Sequence, residues 1–265
     1  MPQQLSDALL DGMVVLVSGG TRGLGAAVAA AAVRNGANVT VTGRRKEVGE
    51  QFAAELAEQS GRQVLYVEAD AGAVGQGQAA VAETIGRFGR IDCLVNCAGL
   101  TTRGTMLDTT PELFDDHIAV NLRGPFFLMQ AAIKDMVARG EGGSIVNIIT
   151  MSSHGGQPYL APYVASKSGL VGLTRNAAFA HRWDRIRING VNIGWMETES
   201  EDAIQRRFHN ADDGWLIKAA AGLPMGKLGQ ADEIADFVIF LLSARSGVVT
   251  GSVIDWDQII PGACE

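Results

Sequence analysis

The 265-residue chain has no apolar run of 18 residues, so no transmembrane helix is expected. Cysteine is scarce. There are three, at positions 93, 97 and 264. Cys93 and Cys97 fall in one predicted strand, where four residues of extended chain separate them by about 13 Å, too far for a disulfide. No Cys/His cluster has metal-ligand spacing, so no metal site is expected. Positive charge is also in deficit. With 22 Lys and Arg against 29 Asp and Glu, the net charge is −7 and the pI is about 5.2. That balance lacks the basic footprint of a nucleic-acid or anionic-membrane binder. The N-terminal M-P-Q-Q-L-S-D-A-L-L-D lacks the basic, apolar and small-residue order of a secretory signal. Together these absences fit a reducing cytoplasm.

What is present suits one compact α/β domain with a large core. The chain is 47% hydrophobic, with 33 glycines and a slightly positive mean hydropathy. Strand-like runs are predicted at 13–18, 38–42, 63–68, 93–96, 144–149, 187–193 and 252–255. Helical stretches are predicted near 24–35, 46–59, 74–88, 111–138, 159–182 and 230–243. Such alternation argues for a parallel sheet covered on both faces. One stretch, Glu197 to Leu223, reads as irregular and polar, with Trp195, Phe208 and Trp215 in or beside it. An insert of that length in a compact domain is usually a lid or binding loop.

The first strand, M-V-V-L-V-S, runs into G-G-T-R-G-L-G and then an alanine-rich helix that stops at Asn35-Gly36. Strand, glycine turn and helix form the context in which Gly19, Gly23 and Gly25 become a nucleotide-binding signal. The glycines let backbone approach a pyrophosphate, and the helix N-terminus favours its charge. Downstream, P-Y-V-A-S-K places Tyr163 and Lys167 four residues apart, on one face of a helix. A phenol has a reference pKa of about 10. A neighbouring ammonium is expected to lower it, giving a group that exchanges a proton with a carbonyl or an alcohol.

G-x-x-x-G-x-G after Ser18, with Y-x-x-x-K downstream, resembles the classical short-chain dehydrogenase/reductase family. The resemblance runs from Gly12 to about Asp257. It implies a three-layer, Rossmann-type doubly wound fold with a seven-stranded parallel sheet in the order 3-2-1-4-5-6-7. It implies a nicotinamide dinucleotide bound by Gly19, Thr21, Arg22, Gly23, Leu24 and Gly25 of the first loop. Further contacts are implied from Asp70 and Ala71 beside the adenine, from Asn96 and Gly99 of N-C-A-G, and from Tyr163 and Lys167. Cys97 replaces the family's second asparagine.

The second strand ends V-T-V-T-G-R-R. An NAD site normally carries an acidic residue there for the ribose hydroxyl. Arg44 suits a 2′-phosphate instead, with Arg22 converging on the same group, so NADP(H) is expected over NAD(H). The resemblance also implies a catalytic Asn-Ser-Tyr-Lys group. Asn121, in A-V-N-L-R-G-P, matches the asparagine that locally disrupts a helix. Counting thirteen residues back from Tyr163 gives Thr150 where the family has serine. Threonine supplies the same hydroxyl with a stiffer, bulkier side chain. Ser152 and Ser153 are the fallback. In I-N-G-V-N-I-G-W-M-E-T, Gly194 and Thr198 match, Met196 lies between them, and Ile193 replaces a usual proline. Thr198 is implied to bond the nicotinamide carboxamide.

The expected activity is interconversion of a carbonyl and a secondary alcohol on a small molecule. The rival is a non-catalytic NADP-binding regulator on the same fold. His154, Gln157, Tyr159, Trp195, Phe208, His209 and Trp215 are candidates for the substrate pocket, or else plain loop packing. Apolar residues Phe126, Phe127, Met129 and Ile133 on one long helix, and Leu170, Val171, Leu173 and Phe179 on another, exceed what one sheet face covers. Oligomerisation is therefore expected, and the family resemblance implies a homotetramer, or else a homodimer, paired through these helices.

Overall fold

The computed structural model describes residues 8–262. Most of the N-terminal reading, and Cys264, lie outside them. Among the described residues, seven parallel strands form one sheet in the order 3-2-1-4-5-6-7. They are β1 (Val14–Ser18), β2 (Asn38–Gly43), β3 (Val64–Glu68), β4 (Cys93–Asn96), β5 (Gly143–Ile148), β6 (Ile186–Ile193) and β7 (Val253–Trp256). Nine α-helices accompany them: α1 (Gly23–Arg34), α2 (Lys46–Ser60), α3 (Val74–Phe88), α4 (Pro111–Ile118), α5 (Gly124–Arg139), α6 (Ala161–Ala180), α7 (Glu199–His209), α8 (Trp215–Ala221) and α9 (Ala231–Leu242).

The strands are β-branched and nearly continuous in apolar character because both faces are covered. In β1, Val15 and Val17 pack with Val28, Ala32, Ile234 and Val238 of α1 and α9, while Leu16 packs on the other side with Val81, Leu128 and Ile145. Helices thus flank the sheet on both faces. At the amino ends of the strands, the buried Asp92 carboxylate accepts from Val14 N at 2.9 Å and pairs with Arg90 and Arg139. The opposite, carboxyl ends are left for a site.

Each strand lies within one residue of its predicted span. The disruption implied at Asn121, within the predicted helix 111–138, takes the form of a π-helical turn, Ala119–Arg123, between α4 and α5. One helical reading is corrected. Glu197 to Leu223 is mostly helical rather than irregular, holding α7 and α8. Cys97 falls one residue beyond β4, and both described cysteines are free thiols.

Candidate active site

The strand order reverses between β1 and β4. A cleft lies there, lined by Ser18, Asp70, Ala71, Asn96 and Val120 among others. The glycine turn begins next to its lining residue Ser18. Gly19 has φ +72°, and a Cβ on it would stand 2.8 Å from Ala98 Cα. A Cβ on Gly25 would lie 2.0 Å from Gly19 O, so α1 starts hard against the turn. The N-cap of α1 is Arg22, which makes no side-chain cap bond, and the first helical turn carries no acidic residue. The first N–H groups of α1 thus have no side-chain cap acceptor, an arrangement that fits a phosphate. Thr21 packs on Gly43, and Leu24 is buried in the core, so Leu24 offers only backbone to a ligand. Gly23, Arg22 and Arg44 are all exposed at the ends of β1 and β2.

Asp70 Oδ1 accepts from Gly72 N at 2.8 Å, and Ala71 O packs tightly on Gly124. Asn96 is buried. Its Nδ2 donates to Asn147 Oδ1 at 2.8 Å, while its Oδ1 has no partner. Asn147 in turn donates to Thr174 of α6 at 2.9 Å. A buried amide chain thus ties β4, β5 and α6 together and leaves one acceptor available at the cleft.

The π-helical turn carries Asn121 inward. Its Oδ1 accepts from Leu100 N at 2.8 Å, and its Nδ2 donates to Leu100 O at 2.9 Å and to Ser166 Oγ at 3.1 Å. Ser166 Oγ donates to Tyr163 O at 2.8 Å. A Cβ on Gly99 would sit 3.7 Å from Asn121 Oδ1 and 3.9 Å from Lys167 Nζ. The residues expected from the sequence therefore converge on one spot. Lys167 is only 3% exposed, and its Nζ donates to Ile148 O at 2.8 Å.

Thr150 follows β5 in extended backbone, and its hydroxyl lies near enough to Tyr163 to draw the phenol pKa down. It also accepts from Ser152 N at 3.2 Å. The fallback serines turn elsewhere in a 3₁₀ turn, Met151–His154: Ser152 Oγ donates to Gln157 at 2.6 Å, and Ser153 Oγ to Asn192 at 3.3 Å.

The expected electrostatics of the pair need correcting. Burial pushes the Tyr163 phenol up to about 12, against the opposing pull of the Thr150 hydroxyl and the Arg103 charge; Glu201 adds to the rise. Lys167 is not among these influences. Its own ammonium is pushed down to about 8 by burial. For each group the loss of water on burial is the largest cause of its shift.

Gly194 follows β6, its N donating to Trp256 O at 3.1 Å; Ile193 remains paired with Trp256 in the sheet. Met196 is buried and bridges to Gly229. Thr198 is the N-cap of α7, accepting from Glu201 N at 3.1 Å. The pocket candidates separate. Trp215 is packing: it is buried, stacks obliquely near Trp195, and donates to Asp202 at 2.7 Å. His154 pairs with Asp255 at 2.9 Å. Phe208 lies under the Arg207 guanidinium. Tyr159 and His209 meet edge to face at 5.3 Å.

Sequence reasoning missed four residues. Arg103 and Glu201 act on Tyr163 through their charge. His117 is fully buried, 6.5 Å ring to ring from Tyr163. Ser166 joins Asn121 to the Tyr163 backbone. Only Arg103 carried a signal, as a lone charge in the loop after a parallel strand.

The reversal-point cleft and the glycine turn define a doubly wound nucleotide-binding protein. The particular family follows from comparison. A family model described as enoyl-(acyl carrier protein) reductase matches residues 19–258. An uncharacterized oxidoreductase of Thermotoga maritima is 34% identical over 246 residues, covering 93% of this chain and 96% of the relative. A sorbitol dehydrogenase of Cereibacter sphaeroides is 30% identical over 252 residues, covering 94% and 97%. The crystal structure of L-sorbose reductase from Gluconobacter frateurii, complexed with NADPH and L-sorbose, superposes with a TM-score of 0.90 at 25% identity, covering 98% of this chain and 100% of that one. The chain belongs to the short-chain dehydrogenase/reductase family of oxidoreductases.

Proposed function

We propose that this chain is an NADP(H)-dependent oxidoreductase that interconverts a carbonyl and a secondary alcohol on a small, polar substrate. The observation that carries the reading is the buried contact of Thr150 with Tyr163, one helical turn from buried Lys167, at the carboxyl ends of β4 and β5. The whole chain acts as one cofactor-binding domain, and 197–223 is its substrate-facing insert. It works in the cytoplasm as a homotetramer or homodimer.

The nicotinamide supplies or accepts the hydride when bound. The chain's own groups do the rest. Tyr163 gives its proton to the carbonyl oxygen in reduction and takes it back in oxidation. Thr150 orients that oxygen through its hydroxyl. Lys167, with its ammonium weakened by burial, holds ribose hydroxyls and refills the phenol with a proton. Asn121 fixes Leu100 and Ser166 around that path. Arg44 and Arg22 hold the 2′-phosphate, the Gly19–Gly25 turn holds the pyrophosphate, Asp70 and Ala71 flank the adenine, and Gly194, Met196 and Thr198 hold the carboxamide end.

A substrate panel read by NADPH absorbance, with NADH alongside, tests both halves. Tyr163→Phe is expected to lose roughly 10²–10⁴ in kcat while binding NADPH normally. A variant keeping more than half the wild-type kcat would sink the acid–base role and favour the regulator reading. Arg44→Asp is expected to cost NADPH on the order of 2–4 kcal/mol and to shift preference toward NADH. An unmoved ratio would place the phosphate on Arg22.

A further inference from the structure

Neither cofactor binding nor proton transfer accounts for Arg103, on the loop between β4 and α4. Its guanidinium lies 5.2 Å from the centroid of the Tyr159 ring. Nη1 donates to Thr101 O at 3.2 Å. Nη2 meets His209 Nε2 at 3.3 Å. Three segments meet at this group: the β4–α4 loop, the turn before α6, and the last residue of α7. Nε is closed off from solvent and has no partner.

The partners of this cation are thus a carbonyl and an imidazole, neither of them anionic. Burying part of a guanidinium without a counter-charge is unfavourable. An imidazole nitrogen at that distance is a weak acceptor for a permanent cation. The Nε/Nη2 edge is a side of the guanidinium that grips a carboxylate with two parallel bonds. On that edge Nε faces no acceptor, and Nη2 faces a histidine that is exposed at a helix end. The group sits against Tyr159, in the turn four residues before Tyr163, and its charge opposes the rise of the Tyr163 phenol.

Glu201 sets the polarity. Its Oε1 accepts from Trp195 Nε1 at 2.8 Å and from Gln205 Nε2 at 2.7 Å, so the carboxylate is anchored on α7. Its charge also reaches Tyr163. A cation and an anion near one phenol orient a substrate that is charged at one end and neutral at the other.

We propose that Arg103 is a specificity-determining residue that takes the carboxylate of a hydroxy or keto acid on its Nε/Nη2 edge, His209 giving way to that carboxylate. This rests on the oxidoreductase reading above and narrows its substrate class. The acid end lies against Arg103 and the neutral end toward Glu201, which leaves the reacting carbon facing Tyr163.

The test pairs each acid with its neutral ester: 2-oxopentanoate, acetoacetate and levulinate, each against its methyl ester. Wild type, Arg103→Gln and Arg103→Lys are measured as full chains with NADPH, by turnover and by calorimetric binding. Wild type is expected to prefer at least one acid over its ester by about tenfold or more in kcat/KM, and Arg103→Gln to erase that preference mainly through KM. Arg103→Lys should recover part of it, because it keeps the charge but not the fork. Equal use of acid and ester by wild type, or an acid-to-ester ratio unmoved in Arg103→Gln, overturns the proposal and leaves the oxidoreductase reading standing. If nothing is turned over, binding decides. Acid binding that vanishes in Arg103→Gln keeps the carboxylate site and sinks the carbonyl–alcohol reading for these keto acids alone. Binding that does not discriminate acid from ester overturns the site as well.

Discussion

Thr150 shows how one hydroxyl separates alternatives that counting left open. Its contact with Tyr163, and the turning of Ser152 toward Gln157, give a sharp expectation. Thr150→Val keeps the shape and deletes the donor, so kcat should fall about 10²-fold or more. Thr150→Ser should hold or raise activity, having less bulk, and Ser152→Ala should be mild. A severe Ser152→Ala beside a benign Thr150→Val would reverse the assignment. Lys167 gives a pH prediction. Burial pushes its ammonium from the ordinary lysine value of 10.5 down to about 8 in the folded chain. The unfolded chain therefore binds more protons between those values, and stability rises with pH across that window. Below about pH 8 the burial penalty is fully present. Lys167→Met should remove it, so urea midpoints of variant and wild type should differ more at pH 7.5 than at pH 9.5. A difference that does not change with pH would show that Lys167 is not titrating in this range. The residues themselves were legible. What they do to one another was not, because sequence spacing says which groups are near but not how much water they lose.

Elements were readable where one physical signal dominated. The strands were found because burial on both faces leaves a continuous apolar run, which β1 shows in full. The disruption of the helix across 111–138 was implied only by the family resemblance at Asn121, because V-N-L-R itself carries no glycine or proline to announce a π turn; at that turn Asn121 contacts Leu100 and Ser166. The stretch Glu197 to Leu223 was read as loop because it is polar. Yet Thr198 caps α7, Glu199, Glu201 and Asp202 fill its first turn, and Arg206, Arg207 and His209 its last, with Asn210 left-handed after it. That charge order suits a helix dipole and was a usable signal. At the far end, Arg187 of β6 donates to the carbonyls of Leu241, Leu242 and Ser243 at the end of α9, at 2.8–3.0 Å. It supplies what the last turn of α9 lacks internally. Arg187→Met should cost about 2–4 kcal/mol in chemical denaturation, with cofactor affinity at the other end of the sheet little changed. A loss under about 0.5 kcal/mol would mean that water replaces the arginine at no cost.

At the scale of the molecule, the case for assembly has changed its residues. Met129, Ile133 and Leu170 are consumed by the core, and Leu173 packs against it. Phe126 and Phe179 remain exposed, Phe179 by 67%, along with Leu107 at 99% and Val248 at 94%. If these side chains gather into one contiguous face, an assembly would cover it. Light scattering at micromolar concentration should give two or four times the 27.9 kDa chain mass. A stable single-chain mass would contradict the assembly. Of the eight apolar residues expected to exceed the sheet face, only Phe126 and Phe179 are exposed, since helix periodicity does not separate the stripe facing a sheet from the stripe facing a neighbour.

The wide turn at Ala119–Arg123 holds one residue more than a regular α-helix needs. The run from Pro111 to Arg139 therefore carries a spare residue at its middle. Excising it would give a more regular helix, with better hydrogen-bond geometry than the present one. It would also rotate everything before the cut by about 100° relative to α5. Asn121 would swing away from Leu100 and Ser166. The reading frame of side chains along this helix is thus itself a working part: a chain one residue shorter would specify a tidier rod and a dismantled cleft.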